Sequence, residues 1–299
     1  MPQPKRVEVA VGDVTVSLSN LEKVMYPQVG FTKGHVIDYY TRIAPTLLPH
    51  LRARPLTLKR YPDGVEKGFF YEKRCPSHAP SWVKTAAVWS GRNEGDIDYC
   101  LCEDLPTIVW LANLADLELH TPMARAPEMD NPTIVAFDLD PGPPATIVDC
   151  ARVAMELQRS FEYFGLQSFP KTSGSKGMQV YVPLNVPGVT YEDTRTFSRG
   201  LAGVLLRRMP DLIVGEMNRE RRRGKVYVDW SQNDRHKTTV NVYSLRAMER
   251  PTVSTPLTWD EVSDMSEPLS FTSTEVLERV ERLGDLFAPV QTLEQEIPR

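Results

Sequence analysis

Residues 133–142 read TIVAFDLDPG, and this stretch decides the fold that we expect. Its apolar, β-branched start predicts a buried central strand. Asp138 and Asp140 alternate with apolar residues where that strand ends, so both carboxylates point to one face. Because two like charges repel unless a cation lies between them, the spacing predicts a divalent metal held by oxygen ligands. A solvated strand end before a Pro-Gly turn is the plain alternative.

The hydrophobic periodicity on either side of this strand predicts a mixed α/β chain. Thr32 is the expected cap of the first helix. Other strands follow alternating patterns, and the apolar segment 105–120 favours a buried helix. Helices are predicted over 32–51, 105–120, 146–164, 191–208 and 272–287, and strands over 7–20 (a hairpin), 56–62, 133–140, 179–184, 225–230 and 238–246.

The composition is that of a globular protein, with 41% hydrophobic and 25% charged residues among 299. The net charge of -4 means that the chain has no broad basic field, so any nucleic-acid binding must come from local patches. The first residues lack the apolar stretch of a secretion signal, and no window is apolar enough to span a membrane. We therefore expect a cytoplasmic protein without a membrane partner.

Four cysteines are expected to be reduced thiols. Cys75, His78, Cys100 and Cys102 nevertheless fall within a short segment. Their spacing departs from the usual zinc-ligand pattern. A zinc site and a set of small buried side chains both remain open at this point.

A second candidate for chemistry is KTSGSKG, residues 171–177, between two predicted strands. A loop of this composition can turn backbone amides toward a phosphate. Ser173 can donate a hydroxyl hydrogen bond, and Lys176 can neutralise triphosphate charge. The loop lacks the spacing of a Walker motif, so a plain turn is the alternative.

A third carboxylate, Asp229, ends the β-rich run KVYVDW, and Lys237 and Arg246 follow in later strand-like segments. Together with the first aspartate pair it completes a set of three carboxylates, two cations and a Gly-Ser loop. Phosphoryl or nucleotidyl transfer needs such a set, because metals orient the reacting oxygens and cations absorb charge that develops on phosphate. The basic run over 219–225 is either a solvated face or a contact to a nucleic-acid backbone.

The ordered motifs LELH, FDLDPGP, TSGSKG, VDWSQN and YSLR, with LSNLEKVMYP, FTKG, LKRYPDG and GFFYEK before them, resemble the polymerase domain of bacterial DNA ligase D. That family belongs to the archaeo-eukaryotic primase superfamily. The resemblance implies a primase-polymerase-like α/β fold, with two mixed β-sheet subdomains and flanking helices around a central cleft. One catalytic domain is expected over 1–299, with a DNA-end-binding part over about 1–100 and a catalytic core over about 101–299.

The resemblance also implies roles for individual residues. Asp138, Asp140 and Asp229 would hold two divalent ions, with manganese preferred to magnesium. The incoming nucleoside triphosphate, preferably a ribonucleotide, would be bound by Lys59, His120, Ser173, Lys176, Gln179, Lys237 and Arg246. Gln179 stands where the family usually has histidine, and glutamine cannot carry the imidazolium charge. That substitution is expected to affect the rate more than the reaction type.

DNA with a gap or double-strand break is the implied partner, together with a DNA ligase and a Ku-type end-binding protein. Asn20, Lys23 and Lys33 match the family's pocket for a 5′-phosphate, and Phe69 and Phe70 match residues that stack on the template. Lys33 falls in the first turn of a predicted helix, where free amides favour an anion.

Plain structural alternatives accompany these roles. Without the resemblance, His120 is a hydrogen-bonded core residue, and Phe69 and Phe70 are core residues. Two other functions also remain: a haloacid-dehalogenase-type phosphatase, which places Asp-x-Asp at a strand end, and a DNA-end-binding module whose catalysis has decayed. The residues after Asp140, Pro141 and Gly142, depart from the phosphatase pattern.

Overall fold

The computed structural model describes residues 6–91, 93–216 and 220–298. Within these ranges the chain forms fifteen strands and six α-helices. The strands are β1 (Arg6–Val11), β2 (Val14–Ser19), β3 (Val24–Tyr26), β4 (Phe31–Thr32), β5 (Thr57–Arg60), β6 (Phe70–Glu72), β7 (Thr85–Ser90), β8 (Gly95–Cys100), β9 (Asp116–Thr121), β10 (Ile134–Pro141), β11 (Phe169–Thr172), β12 (Met178–Pro183), β13 (Ile213–Val214), β14 (Val226–Asp229) and β15 (Thr239–Val240). The helices are α1 (Lys33–Leu51), α2 (Leu105–Asn113), α3 (Ile147–Tyr163), α4 (Tyr191–Arg208), α5 (Trp259–Ser263) and α6 (Ser273–Leu283).

The predicted central strand, β10, is the middle strand of a five-stranded sheet in the order β11-β12-β10-β14-β13. It pairs antiparallel with both neighbours, whereas β13 and β14 are parallel. Helices α3 and α4 pack on this sheet. Phe137, Leu157 and Phe161 lie in the core between them and are fully buried. The prediction of a buried central strand is confirmed, and this sheet is mixed as expected.

A second sheet has four strands in the order β15-β9-β5-β6. All its pairings are antiparallel, so the expectation of a mixed sheet is wrong here. The prediction of one helix over 105–120 is also wrong, because α2 ends at Asn113 and β9 begins at Asp116. Ala115 between them has φ 61°, which leaves the helical region. Strands β5 and β15 then pair with both edges of β9, so tertiary pairing overrides helix propensity.

The helix starts follow their caps. Thr32 precedes α1, and its hydroxyl accepts a hydrogen bond from the amide of His35. Thr146 and Thr190 cap α3 and α4 in the same way. No helix among the residues with described structure is long and apolar enough to cross a membrane.

The two sheets adjoin each other. Ile134 of β10 and Tyr181 of β12 belong to the same hydrophobic core as Tyr40 and Leu117, which lie with the four-stranded sheet. Strands from either side of residue 100 share that second sheet. Polar side chains at the meeting edges are therefore brought together from segments far apart in the sequence.

Candidate functional site

Three aspartates lie on one face of the five-stranded sheet. In the register of β10 and β14, Asp138 is directly opposite Asp229, and Asp140 is opposite Tyr227. Opposite residues of antiparallel strands place their Cβ atoms about 4.5–5.5 Å apart on the same face. The sheet therefore gathers the three carboxylates that the sequence singled out.

The electrostatics of these carboxylates suit a bound cation. Burial raises the pKa of Asp138, and the nearby charges of Asp140 and Asp229 raise it further. Burial also raises the pKa of Asp140, against the opposing effect of Arg222. Magnesium and manganese prefer hard oxygen donors such as carboxylates. A cation bound among the three aspartates would also relieve their mutual repulsion. Among the described residues, however, no three His, Cys, Asp or Glu side chains lie close enough together to hold an ion, so metal binding here remains a prediction.

The VDWSQN segment holds Asp229 in place. Asp229 Oδ1 accepts hydrogen bonds from the Ser231 amide (2.9 Å) and hydroxyl (2.6 Å), and Asp229 Oδ2 accepts one from Gln232 Nε2 (2.9 Å). Lys237 donates to the same Ser231 hydroxyl. Asn233 donates to the Ala136 carbonyl and accepts from its amide, which fixes the segment to β10. Of the residues in this motif, only Asp229 was given a role from the sequence.

A buried lysine reaches the carboxylates through Gln179. In the sheet register, Lys171, Gln179 and Asp138 stand side by side on β11, β12 and β10. Lys171 Nζ donates to Gln179 Oε1 (2.6 Å), and Gln179 Nε2 donates to Asp138 Oδ1 (3.1 Å). Burial lowers the pKa of Lys171 to about 7. Protein groups thus engage both ends of the Gln179 amide. Lys171 begins the predicted loop motif but received no role, because its link to Asp138 depends on the order of the strands.

The Gly-Ser loop, residues 173–177, lies directly against β10. Ser173 Oγ accepts hydrogen bonds from the amides of Ser175 and Gly177, both at 3.2 Å. A Cβ atom on Gly177 would stand 2.1 Å from the Leu139 carbonyl oxygen, so only glycine allows this approach. Lys176 is exposed at the tip. The loop is therefore a tight turn against β10 with an exposed lysine at its tip.

The basic run over 219–225 divides into separate roles. Arg219 lies outside the described residues. Arg221 pairs with Glu216 at the surface. The Arg222 guanidinium lies 4.0 Å from the centre of the Tyr227 ring and lowers the pKa of Asp140 by its charge. Neither plain alternative describes the whole run.

The predicted nucleotide-binding cations of the four-stranded sheet surround Glu118. Its Oε2 lies 3.1 Å from Lys59 Nζ, 3.0 Å from His120 Nε2 and 3.3 Å from Arg246 Nε. Burial alone would raise the Glu118 pKa, but the hydrogen bond with His120 and the charges of Arg246 and Lys59 hold it well below its usual range. Sequence reasoning missed Glu118, because a helix over 105–120 hides the period-two relation that puts it beside His120.

Arg246 connects the two sheets. Besides its contact with Glu118, it donates from Nη1 to the Ser173 carbonyl at 2.7 Å. Its charge also lowers the pKa of Asp140. A single guanidinium thus acts on the cation cluster, the Gly-Ser loop and the aspartates, which makes these three parts one site.

Asn20, Lys23 and Lys33 lie together near the start of α1. Lys33 is buried, and its Nζ donates to Asn113 Oδ1 (2.9 Å) and Ser19 Oγ (3.3 Å). Burial and the nearby charge of Lys23 lower its pKa to about 8.

The expectation of free amides in the first turn of α1 is wrong. The Lys33 amide donates to the Lys23 carbonyl and the Gly34 amide to the Leu21 carbonyl, both at 2.8 Å, while the His35 amide donates to Thr32. The preceding β3–β4 segment therefore uses the donors that a helix end usually offers to an anion. Any phosphate contact here falls to side chains such as Lys23, which pairs with exposed Asp63.

Phe69 and Phe70 are surface residues, 50% and 43% exposed, so the core alternative is wrong for both. Lys59 Nζ lies 4.5 Å from the Phe69 ring centre, and the Arg60 guanidinium lies 5.1 Å from that of Phe70. Nucleic-acid bases can stack on exposed aromatic rings, and the nearby cations can neutralise the charge of the phosphate backbone.

The cysteine and histidine set does not assemble a zinc site. All four cysteines are free thiols. Interaction with the Cys100 thiol lowers the pKa of Cys75, while the His78 ring packs against Trp110. Across the described ranges, no group of three potential ligands was found. Cys100 and Cys102 are buried, as the small-side-chain interpretation expects, whereas Cys75 is only partly buried.

Comparison with known proteins gives a consistent result. The family model of the LigD primase-polymerase domain matches residues 32–287. The multifunctional non-homologous end joining protein LigD of Mycolicibacterium smegmatis is 40% identical over 277 residues, which are 92% of this chain and 36% of that protein. The bifunctional LigD of Bacillus subtilis is 34% identical over 269 residues, 90% of this chain and 43% of that protein. The chain thus spans about two fifths or less of these relatives.

The fold comparison agrees. The polymerase domain of Mycobacterium tuberculosis ligase D, solved in complex with DNA, superposes with a TM-score of 0.87 at 37% identity. The match covers 94% of this chain and 99% of that domain. The predicted primase-polymerase-like α/β fold is confirmed.

Proposed function

This chain belongs to the family of LigD primase-polymerase domains, nucleotidyltransferases that act on DNA, and we propose that it adds nucleotides to a DNA 3′ end at gaps and breaks during end joining. One observation carries the proposal. Arg246 contacts the Ser173 loop and Glu118 and acts electrostatically on Asp140, so an anionic and a cationic surface meet at one point. Transfer of a nucleotide needs both, one for metal and one for triphosphate.

On the acidic side, Asp138, Asp140 and Asp229 would hold two divalent ions, with manganese preferred to magnesium. Such ions would supply the activation of the attacking oxygen and the neutralisation of the leaving phosphates. On the basic side, Lys59, His120 and Arg246 would take the triphosphate, together with the Ser173 and Lys176 loop and with Lys237 beside Asp229. Gln179, whose amide is engaged by Lys171 and Asp138, would act on the rate without a direct contact to the triphosphate. The primer 3′-hydroxyl attacks the α-phosphate, and pyrophosphate leaves.

The DNA partner is proposed to be a gapped or broken duplex with a 5′-phosphate. Lys23, Lys33 and Asn20 would contact that phosphate, while Phe69 and Phe70 would stack on the template. This assigns end recognition to residues before about 100 within a single domain. The neighbour in complex with DNA supports a DNA substrate. A DNA ligase and a Ku-type protein are proposed as further partners, because the relatives are end-joining proteins.

A primer-extension assay on a gapped duplex with a 5′-phosphate tests the proposal. With manganese, we expect incorporation of a ribonucleotide in preference to a deoxyribonucleotide, since a site that hydrogen-bonds the 2′-hydroxyl rejects the analogue that lacks it. Equal or reversed preference would remove the ribonucleotide claim alone.

The assay also decides between the proposed polymerase and the other functions. DNA binding without incorporation under any metal would favour a catalytically decayed end-binding module. The phosphatase alternative disagrees with the family match, and hydrolysis of a generic phosphate ester without nucleotide addition would be needed to restore it.

A further inference from the structure

A buried carboxylate lies at the centre of the cations proposed to bind the nucleotide. Glu118 is 2% exposed and approaches each of Lys59, His120 and Arg246 within 3.3 Å through the same oxygen, Oε2. We propose that Glu118 is a positioning residue that assembles these three side chains to bind the triphosphate. The inference rests on the proposed nucleotide-binding role of the three cations.

The other carboxylate oxygen has neutral partners that fix the group in place. Glu118 Oε1 accepts hydrogen bonds from the Tyr61 hydroxyl and from the Ala247 amide, both at 3.1 Å. One oxygen is therefore anchored and the other is presented to the cations. Such a division of partners orients the carboxylate, because donors lie against both of its oxygens.

The three partners of Glu118 Oε2 come from different parts of the chain. Lys59 is on β5, His120 is on β9, and Arg246 follows β15. Lys59 and Arg246 repel one another and disfavour a charge on His120: burial lowers the His120 pKa, the charges of Arg246 and Lys59 lower it further, and Glu118 opposes this. An anion among them is what allows the cations to stand close together before any nucleotide arrives.

Glu118 cannot itself bind a triphosphate, since both groups are anions. Its effect must pass through the cations, which makes the role one of positioning and predicts a distinct kinetic pattern. Loss of the carboxylate should impair capture of the nucleotide more than the transfer step, because the aspartates on the other sheet remain in place.

Glu118→Gln is the test, because it keeps the shape and removes the charge. In either orientation of the glutamine amide, its NH2 group would face hydrogen-bond donors. These are the Tyr61 hydroxyl and the Ala247 amide on one side, and the three side chains around Oε2 on the other. We expect KM for the nucleotide to rise about tenfold or more while kcat falls less than about threefold, with DNA affinity unchanged. Binding of a nucleoside triphosphate, measured directly by titration, should weaken in parallel.

Asp116→Asn is the matched control. Asp116 is a second buried carboxyl group two residues earlier on β9, and its Oδ1 accepts a hydrogen bond from the Lys59 amide at 2.8 Å. The same change of atoms there should leave KM within about twofold. Tyr61→Phe, which loosens Oε1 and leaves every charge in place, should raise KM by an intermediate amount, and it serves if Glu118→Gln fails to fold.

A purely structural role would lower kcat and melting temperature together in Glu118→Gln and Asp116→Asn, with KM unmoved, and would overturn the inference. A parent protein that binds nucleotide but adds none would overturn the proposed polymerase while leaving the role of Glu118 in binding to be decided by the variant. A parent that binds no nucleoside triphosphate would overturn both.

Discussion

The five-stranded and four-stranded sheets carry opposite charges to their meeting point, and in each a buried group of the other sign lies close to those charges. Among the aspartates that charge is Lys171, which reaches Asp138 only through the Gln179 amide. Among the cations it is Glu118, which touches Lys59, His120 and Arg246 directly. The two sheets thus compensate their crowded like charges differently: the first through a bridging amide, the second through direct contacts to a carboxylate.

The difference indicates what each surface still requires. A carboxylate in direct contact largely satisfies the cations and fixes their geometry. The aspartates receive only an indirect cation, and burial with mutual repulsion keeps the pKa values of Asp138 and Asp140 raised. The acidic surface therefore remains in need of a positive charge, which is the condition for strong dependence on a metal.

The largest expected effect on nucleotide addition comes from removing a carboxylate of the acidic surface. Asp138→Ala or Asp229→Ala should lower nucleotide addition about a hundredfold or more, since a metal ligand is removed. DNA binding should stay close to that of the parent. The measurement is primer extension in manganese with gel-shift binding alongside. Retention of more than about a twentieth of the parent rate in either variant would contradict the metal assignment.

A tenfold effect is expected from the cations outside both sheets. Lys23 and Lys33 should make a gapped duplex with a 5′-phosphate bind about tenfold more tightly than one with a 5′-hydroxyl, because charge-assisted contacts contribute about 1.5–3 kcal/mol. Lys23→Ala combined with Lys33→Ala should erase this difference. Lys73→Ala with Lys84→Ala provides a control of equal charge. If the first double variant still distinguishes the two ends, the phosphate pocket lies elsewhere.

The pH dependence of that preference sharpens the comparison. Lys33 has neutral acceptors where the sheet cations have Glu118, and burial lowers its pKa to about 8. A lysine with a lowered pKa keeps its charge below that value and loses it as the pH rises. The 5′-phosphate preference should therefore be complete near pH 7 and decline through about pH 9. A constant preference across this range in binding titrations would contradict the role of Lys33.

The smallest effect concerns the bridge between Lys171 and Asp138. A neutral histidine offers one acceptor and one donor, as the Gln179 amide does, so Gln179→His should change the rate by less than about threefold. Gln179→Leu offers neither an acceptor nor a donor, so it should lower the rate of nucleotide addition by more than the histidine variant changes it. Steady-state rates of nucleotide addition measure both. An increase of tenfold or more in the histidine variant would mean that this side chain reaches the triphosphate.

The acidic surface could be predicted because the patterns that mark its aspartates are local in the sequence. Period two placed Asp138 and Asp140 on one face, and a β-rich run marked Asp229 as a strand end. The pairing of Asp138 with Asp229 needed the order of the strands, which a single sequence does not contain. Lys171 was missed for the same reason, since its link to Asp138 crosses three strands.

The basic surface was harder to predict because its contacts are long-range. His120 was identified only through the family resemblance, and the helix expected over 105–120 obscured its neighbour Glu118. Apolar segments of this length fit a buried helix and a buried strand equally well. What turned 116–121 into a strand is pairing with β5 and β15, which lie on either side of it in the chain and far from it.

The same pairing sets an order of assembly during synthesis on the ribosome. Strands β5 and β9 can meet once residue 121 has emerged, whereas β15 becomes available more than a hundred residues later. Until then a nascent chain carries Glu118 with Lys59 and His120 but without Arg246. All strands of the five-stranded sheet are translated before Arg246, so the arginine that joins the two surfaces is also the last of these parts to arrive. A partly made chain can therefore contain all three aspartates while the triphosphate surface still lacks its arginine.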